Sequence, residues 1–392
     1  MTVGIGSLAA AEPASSEAHR LPAPHAMPAN MLRSHLHRVP EKAAVVAESV
    51  IAEETHTSDV TASSFAAKGQ AAVGTGVITA MAANAFDGRL YVANYADDSV
   101  SVLDGYTLAV VSTIAGTPEP YALAVARGRA YVSTVVGAYD ALAVTDAESV
   151  VATHSLADTV QDVVVDREGR YAYVARTGRG GADVAVINTA TGAVNTVDLH
   201  SRSGEVANTL SISGDGRTLF VATTDQLSGR LVIVDTAQLR VVDALTVVEP
   251  IRGLAASHDG ATVWVATDDA TAHGLVDALD TRSHRLLASV EIGSAVKQLM
   301  LSAVGDRVYA VTDEAVVVVC ANTYEVVDTI VTPWAPSCVA ESVDGSRLYV
   351  AGFDGRVALY SVASTTPSLL ARMATPEALA GPAARELARA GV

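Results

Sequence analysis

Short apolar runs rich in Val, Ala and Leu alternate with polar turns along most of the chain, without the 3.6-residue period of an amphipathic helix. An aromatic followed by Val recurs at Tyr91-Val92, Tyr131-Val132, Tyr173-Val174, Phe220-Val221, Trp264-Val265 and Tyr349-Val350. Tyr309, followed by Ala310 and Val311, fills the remaining slot. The spacings are 40, 42, 47, 44, 45 and 40 residues, so seven supersecondary units follow one another at a near-constant period.

Each unit shares one grammar. Before the anchor stands a turn: Asp87-Gly88, Glu168-Gly169, Asp215-Gly216, Asp259-Gly260 or Asp344-Gly345. Asp-Gly tolerates the positive φ of a tight hairpin, so each turn joins two antiparallel strands. A polar loop follows the anchor, then a β-branched run ending near Asp or Asn, as at 100–104, 184–188 and 231–235. A fourth run comes next, as at 110–114, 241–245 and 326–330. Four strands per period is a propeller blade, and the expected fold is all-β: a seven-bladed β-propeller with four antiparallel strands per blade.

These pieces resemble the YVTN-type propeller repeats of bacterial proteins. The resemblance spans about residues 76–375 and rests on Asp-Gly, Tyr-Val and the Val-x-x-Asp-Thr or Val-x-Asn-Thr pieces at 232–236 and 186–189. It implies the fold and no particular activity, because members of that family differ in role. Blade 2 departs with Arg127-Gly128 and blade 6 with Gly305-Asp306.

The expected layout is an irregular extension over 1–70, a propeller over 71–375 and a short helical tail over 376–392. The extension is rich in Ala, Ser and Pro, with Phe65 its sole aromatic. The tail reads as a helix start, with Thr375 as N-cap and Pro376 at N1. An open ring would leave a long unpaired edge, so one terminus must close it. Leu369-Leu370-Ala371 repeats Leu286-Leu287-Ala288 and favours a C-terminal closing strand. The rival is an N-terminal strand at 42–49 or 70–75.

Composition narrows the function classes. The chain has 392 residues and is 50% hydrophobic, enough for a sizeable core. Its longest apolar run, 315–321, is far short of a membrane span. The net charge of −17, with no basic run, argues against nucleic acid as a partner. No secretory signal stands at the N-terminus, which points to the cytoplasm, with non-classical export as the alternative. Cys320 and Cys338 read as two free buried thiols.

The candidate chemistry is sparse. No nucleophile elbow, P-loop or dinucleotide fingerprint is present. His35 and His37 lack further ligands at metal spacing, so neither a metal nor any other cofactor is expected. Acidic residues after the anchors (Asp97, Asp98, Asp225, Asp268, Asp269, Asp313, Asp354) read as turn formers.

One constellation is more specific. Aligning the innermost strands by their turns puts Ala80, Tyr121, Gln161, Asn208, Arg252, Lys297 and Ser337 at one equivalent position. Six of the seven are polar or amphipathic, where Val or Ala would serve packing alone. This predicts a ring at one channel mouth that takes a ligand, with Arg252 and Lys297 favouring an anion and Glu249 and Glu291 the nearest carboxylates in sequence. The expected function is a non-enzymatic, monomeric propeller offering its faces and mouth to a protein or small anionic ligand. The alternative is a lactonase-like propeller enzyme working at the same mouth.

Overall fold

The computed structural model describes residues 64–137, 139–268 and 274–363. They form seven four-stranded antiparallel sheets, one per anchor. The chain enters through β1 (Phe65–Ala72) and then lays down six sheets in simple meanders. Blade 1 holds β2 (Ile78–Ala83), β3 (Arg89–Asn94), β4 (Ser99–Asp104) and β5 (Val110–Ala115). Blade 2 follows with β6 (Leu123–Ala126), β7 (Arg129–Val136), β8 (Tyr139–Thr145) and β9 (Val150–Ser155). In blade 3 these are β10 (Thr159–Val165), β11 (Tyr171–Gly178), β12 (Gly181–Asn188) and β13 (Val194–Asp198). Blade 4 is built from β14 (Val206–Ile212), β15 (Thr218–Thr224), β16 (Gly229–Asp235) and β17 (Arg240–Val247). Blade 5 contains β18 (Ile251–Ala256), β19 (Thr262–Thr267), β20 (Leu275–Asp280) and β21 (Leu286–Glu291). Blade 6 has β22 (Gln298–Leu301), β23 (Arg307–Val311), β24 (Ala315–Cys320) and β25 (Val326–Val331). Blade 7 takes β26 (Pro336–Glu341), β27 (Arg347–Gly352) and β28 (Arg356–Val362) from the end of the chain.

The fourth strand of blade 7 is β1, paired antiparallel to β28 from Phe65↔Val362 to Ala72↔Arg356. Closure is therefore N-terminal, which corrects the expected C-terminal strand. Residues 65–70, which the composition assigned to the extension, belong to the sheet. Leu369-Leu370-Ala371 and the helix expected over 376–392 lie outside the described residues. Phe65 explains the choice. It is 8% exposed, meets Tyr309 edge-on with centroids 6.1 Å apart and lies under the Arg307 guanidinium. The strand is tied at its start, where the Ser64 amide donates to Asp328 and the Ala363 amide donates to Ser64. At its exit the Val73 and Gly74 amides both donate to the Gly355 carbonyl. Gly355 has φ +81°, and a Cβ there would strike the Gly74 carbonyl at 2.1 Å, so only glycine fits.

The period read from the sequence has a packing cause. The core consists of seven apolar layers, each between two adjacent blades. In every blade the anchor aromatic faces the next blade and the following Val or Ala faces the preceding one, because neighbours on a strand point to opposite faces. Tyr91 packs with Leu123 and Val132 of blade 2, whereas Val92 packs with Tyr349 of blade 7. The hydroxyls reach further. Tyr131 and Tyr173 hydrogen-bond Thr189 and Thr236 of the following blades, and Tyr349 donates to the Gly105 carbonyl at 2.7 Å. Those threonines in turn donate to the turn carbonyls of Gly169 and Gly216, so the Asp-Thr, Asp-Gly and Tyr-Val pieces form one linked device. The outer strands, with one covered face, expose most of their β-branched residues, as at Val110 and Val111.

Removing the phenyl ring at position 65 should therefore loosen the closure. Phe65→Ala is expected to cost about 3 kcal/mol and to lower Tm by roughly 6 °C. Deleting residues 1–40, which are poor in large apolar groups, should move Tm by only about 1–2 °C. Thermal denaturation followed by circular dichroism checks both, and a Phe65→Ala protein melting with wild type would show that β1 does not hold the ring.

Candidate functional site

Each inner strand packs against the inner strands of its two neighbours, so their entrances surround one channel mouth. A β-bulge recurs at the entrance of five blades. The pairing register skips one residue between Val160 and Asp162, Ala207 and Thr209, Ile251 and Gly253, and Pro336 and Cys338. The skipped residues are Gln161, Asn208, Arg252 and Ser337. In blades 2 and 6 the Tyr121 amide donates to the Ser133 carbonyl and the Lys297 amide to the Val311 carbonyl, marking the same slot. Four of the six polar ring residues thus share a backbone reason for standing together, since a bulge re-aims a side chain out of the ladder, and Tyr121 and Lys297 stand just before their ladders begin.

Blade 1 needs a correction. The register skips between Ile78 and Ala80, and Met81, not Ala82, pairs with the anchor Val92. The slot residue is Thr79, so the ring is polar or amphipathic in all seven blades. The misalignment has a physical source. Blades 1 and 4 have inner turns of equal length, but Gly88 donates to Asn84 four residues back and Gly216 to Ser213 three back. The Asp-Gly of blade 1 therefore sits one residue later in its turn. Counting from the Tyr-Val anchor instead of the turn would have found Thr79.

The ring side chains divide by what they bond. Thr79 donates to the Pro120 carbonyl at 2.7 Å and Asn208 to the Ile251 carbonyl at 2.9 Å, each stitching its blade to the next. Ser337 is buried beside Cys338. Tyr121 is partly buried, and burial, with the charge of Asp162, pushes its hydroxyl up to about 12. Lys297 is spent: its Nζ lies 2.5 Å from Asp313 Oδ1 and 4.3 Å from the Phe353 ring centroid. Its counter-charge is Asp313 rather than Glu249 or Glu291. Gln161 and Arg252, both partly buried, have no side-chain hydrogen bond or ion pair among the described residues.

Four other cations at this end are compensated, while the exposed Arg179 of the β11–β12 loop has no ion pair among the described residues. Arg176 forms a two-pronged pair with Asp183, Arg356 pairs with Asp354, and Arg202 and Arg230 converge on the buried Glu205. Two of the acidic loop residues act as turn formers, Asp225 accepting from the Leu227 and Ser228 amides and Asp354 from the Arg356 amide. Asp97 and Asp98 instead accept from Thr75 and the Glu119 amide, more than twenty residues away, and Asp313 pairs with Lys297. Asp269 lies outside the described residues. Among the described residues no three His, Cys, Asp or Glu side chains converge as metal ligands. Both cysteines are free and buried, and burial pushes the Cys338 thiol up to about 12.

Asp162, which follows the slot in blade 3, was not singled out from the sequence. It receives hydrogen bonds from the Leu210 amide (2.7 Å), its neighbour Val163 and the Thr209 hydroxyl, stitching blade 3 to blade 4. Gln298 fills the same position in blade 6 and accepts from the Val339 amide of blade 7. The recurrence of a side-chain acceptor one residue past the slot is the signal that would have found it.

A closed ring of seven four-stranded antiparallel sheets, each packed between its two neighbours, defines the class: a seven-bladed β-propeller. The comparison with curated proteins carries this to a family. The chain is 36% identical over 316 residues to the seven-bladed beta-propeller protein Rv1057 of Mycobacterium tuberculosis (strain ATCC 25618 / H37Rv), covering 71% of this chain and 80% of that one. It therefore belongs to the family of that mycobacterial propeller. A seven-bladed beta-propeller protein of Mycolicibacterium smegmatis is 46% identical over 59 residues, 14% of this chain and 16% of its own. No family model matches. Among solved structures, Kuenenia stuttgartiensis hydrazine synthase superposes with a TM-score of 0.67 at 18% identity, covering 79% of this chain and 99% of that one. The Cps50 (Swd1) β-propeller domain of Myceliophteria thermophila does so with 0.64 at 13% identity, covering 76% and 99%. At those identities the two structures show the fold alone.

Burial pushes the Asp162 carboxyl up to about 6 despite its hydrogen bonds. Because this lies above the value of about 3.9 in an unfolded chain, its stabilising contribution is complete below about pH 4. It is lost as pH rises through about 6. Asp162→Asn, which stays neutral, should flatten that part of the pH dependence of the urea midpoint. A variant whose profile parallels wild type between about pH 4 and 7 would contradict the assignment.

Proposed function

We propose that this propeller is a non-enzymatic binding module whose mouth holds a small ligand through an anionic group. One observation carries the reading: Arg252 stands in the inner ring, partly buried, without an ion pair among the described residues. A partly buried guanidinium left uncompensated favours an anion more than a fully exposed one does, and its five donors match carboxylate or phosphate oxygens. Gln161 and Tyr121 of the same ring add neutral hydrogen-bonding groups and an aromatic wall. Asn208 and Ser337 complete the ring beside them. Lys297 contributes little, because Asp313 neutralises it. The repeats themselves we assign to the YVTN type, supported by the shared Tyr-Val, Asp-Gly and Asp-Thr pieces and the hydrogen bonds that join them.

Isothermal titration against small carboxylates and sugar phosphates tests the reading. Arg252→Ala should weaken binding by about tenfold or more, in line with the loss of a charge-assisted hydrogen bond. Lys297→Ala should change it by less than about threefold, since exposed or already paired charges contribute little. Absence of binding by wild type, or equal binding by Arg252→Ala, would remove the site.

A further inference from the structure

The rim beside Arg252 carries two aliphatic side chains that the packing does not use. Leu227 is 83% exposed and Val248 is 80% exposed. Both stand at one end of blade 4, just beyond the pair Gly229↔Val247 that ends the β16–β17 ladder. Leu227 is not a loose tip. Asp225 Oδ1 accepts from the Leu227 amide at 2.8 Å and the Ser228 amide at 2.7 Å, and the Asp225 amide donates back to the Ser228 carbonyl. This turn holds Leu227 outward at a position where turns ordinarily carry polar residues or glycine.

The linker from Val248 to Arg252 is held just as closely. A Cβ at Gly229 would come within 3.0 Å of both the Glu249 carbonyl oxygen and the Ile251 amide nitrogen. Asn208 donates to the Ile251 carbonyl, immediately before Arg252. Leu227, Val248, Asn208 and Arg252 therefore share one junction between blades 4 and 5. The apolar residues on the outer strands, by contrast, are spread around the circumference, away from the channel mouth.

Charge selects among anions. The loops that follow β15, β17 and β19 at this end carry Asp225, Glu249 and Asp268, and the chain carries a net charge of −17. A ligand with several negative charges would be repelled there, whereas a single carboxylate needs only Arg252. Resting on the mouth reading above, we propose that the ligand is a monoanionic aliphatic carboxylate, with its head at Arg252 and its tail across Leu227 and Val248.

Titrations of the full chain with acetate, octanoate and succinate, followed by NMR, separate this proposal from the reading beneath it. Octanoate should bind at least about tenfold more tightly than acetate, since each buried methylene is worth roughly fourfold. Succinate should bind no more tightly than acetate. The double substitution Leu227→Ser with Val248→Ser, at exposed positions that leave the core intact, should bring octanoate to within about threefold of acetate and leave acetate unchanged. Octanoate no tighter than acetate, or tighter but indifferent to the double substitution, overturns the aliphatic proposal. Acetate binding that depends on Arg252 would still uphold the mouth reading in that case. If neither acid binds, both fall.

Discussion

The structure depends on one constraint: no blade can cover its own faces. Each four-stranded sheet has two apolar surfaces, and in this chain the neighbouring blades cover both. Seven such layers are satisfied only when the first blade meets the last, so the pairing of β1 with β28 supports every other contact. The Tyr-Val anchor is the local form of the same constraint. Its aromatic fills the layer ahead and its Val the layer behind, which is why the motif repeats while the loops vary.

The mouth follows from this arrangement. Inner strands brought together around a channel have free edges, and side chains of adjacent blades take up part of them. Thr79, Asn208, Asp162 and Gln298 each bond backbone of the next blade. Polarity in the ring is therefore first a structural requirement. Of the charged ring residues, Lys297 pairs with Asp313 of its own blade, and Arg252 has neither a stitching bond nor an ion pair among the described residues.

The sequence disclosed whatever repeats and was least informative where something occurs once. The blade number and strand grammar were legible because seven interblade layers impose one spacing. The closing strand was not, because β1 buries one large residue, Phe65, and apart from the partly buried Ala71 presents Ala, Gly, Lys and Gln to solvent. Leu369-Leu370-Ala371, by contrast, imitates an outer strand in composition. Six ring residues were legible from the spacing before the inner-strand core position, and the seventh was displaced by one because Asp87-Gly88 occupies a later place in an equal-length turn. The pairing of Lys297 with Asp313 was hidden, since the carboxylate comes from the loop after the anchor rather than from a residue near in sequence. Leu227 and Val248 were unremarkable as letters, and only their exposure gives them meaning.

The most direct test of the account is a cross-link through the closure. Gln70 and Ala358 are directly paired across β1 and β28. Cysteines at these two positions should form an intramolecular disulfide under mild oxidation and raise the urea midpoint, reversibly on reduction. A folded protein in which both thiols stay free after oxidation would contradict N-terminal closure, and with it the account of the ring.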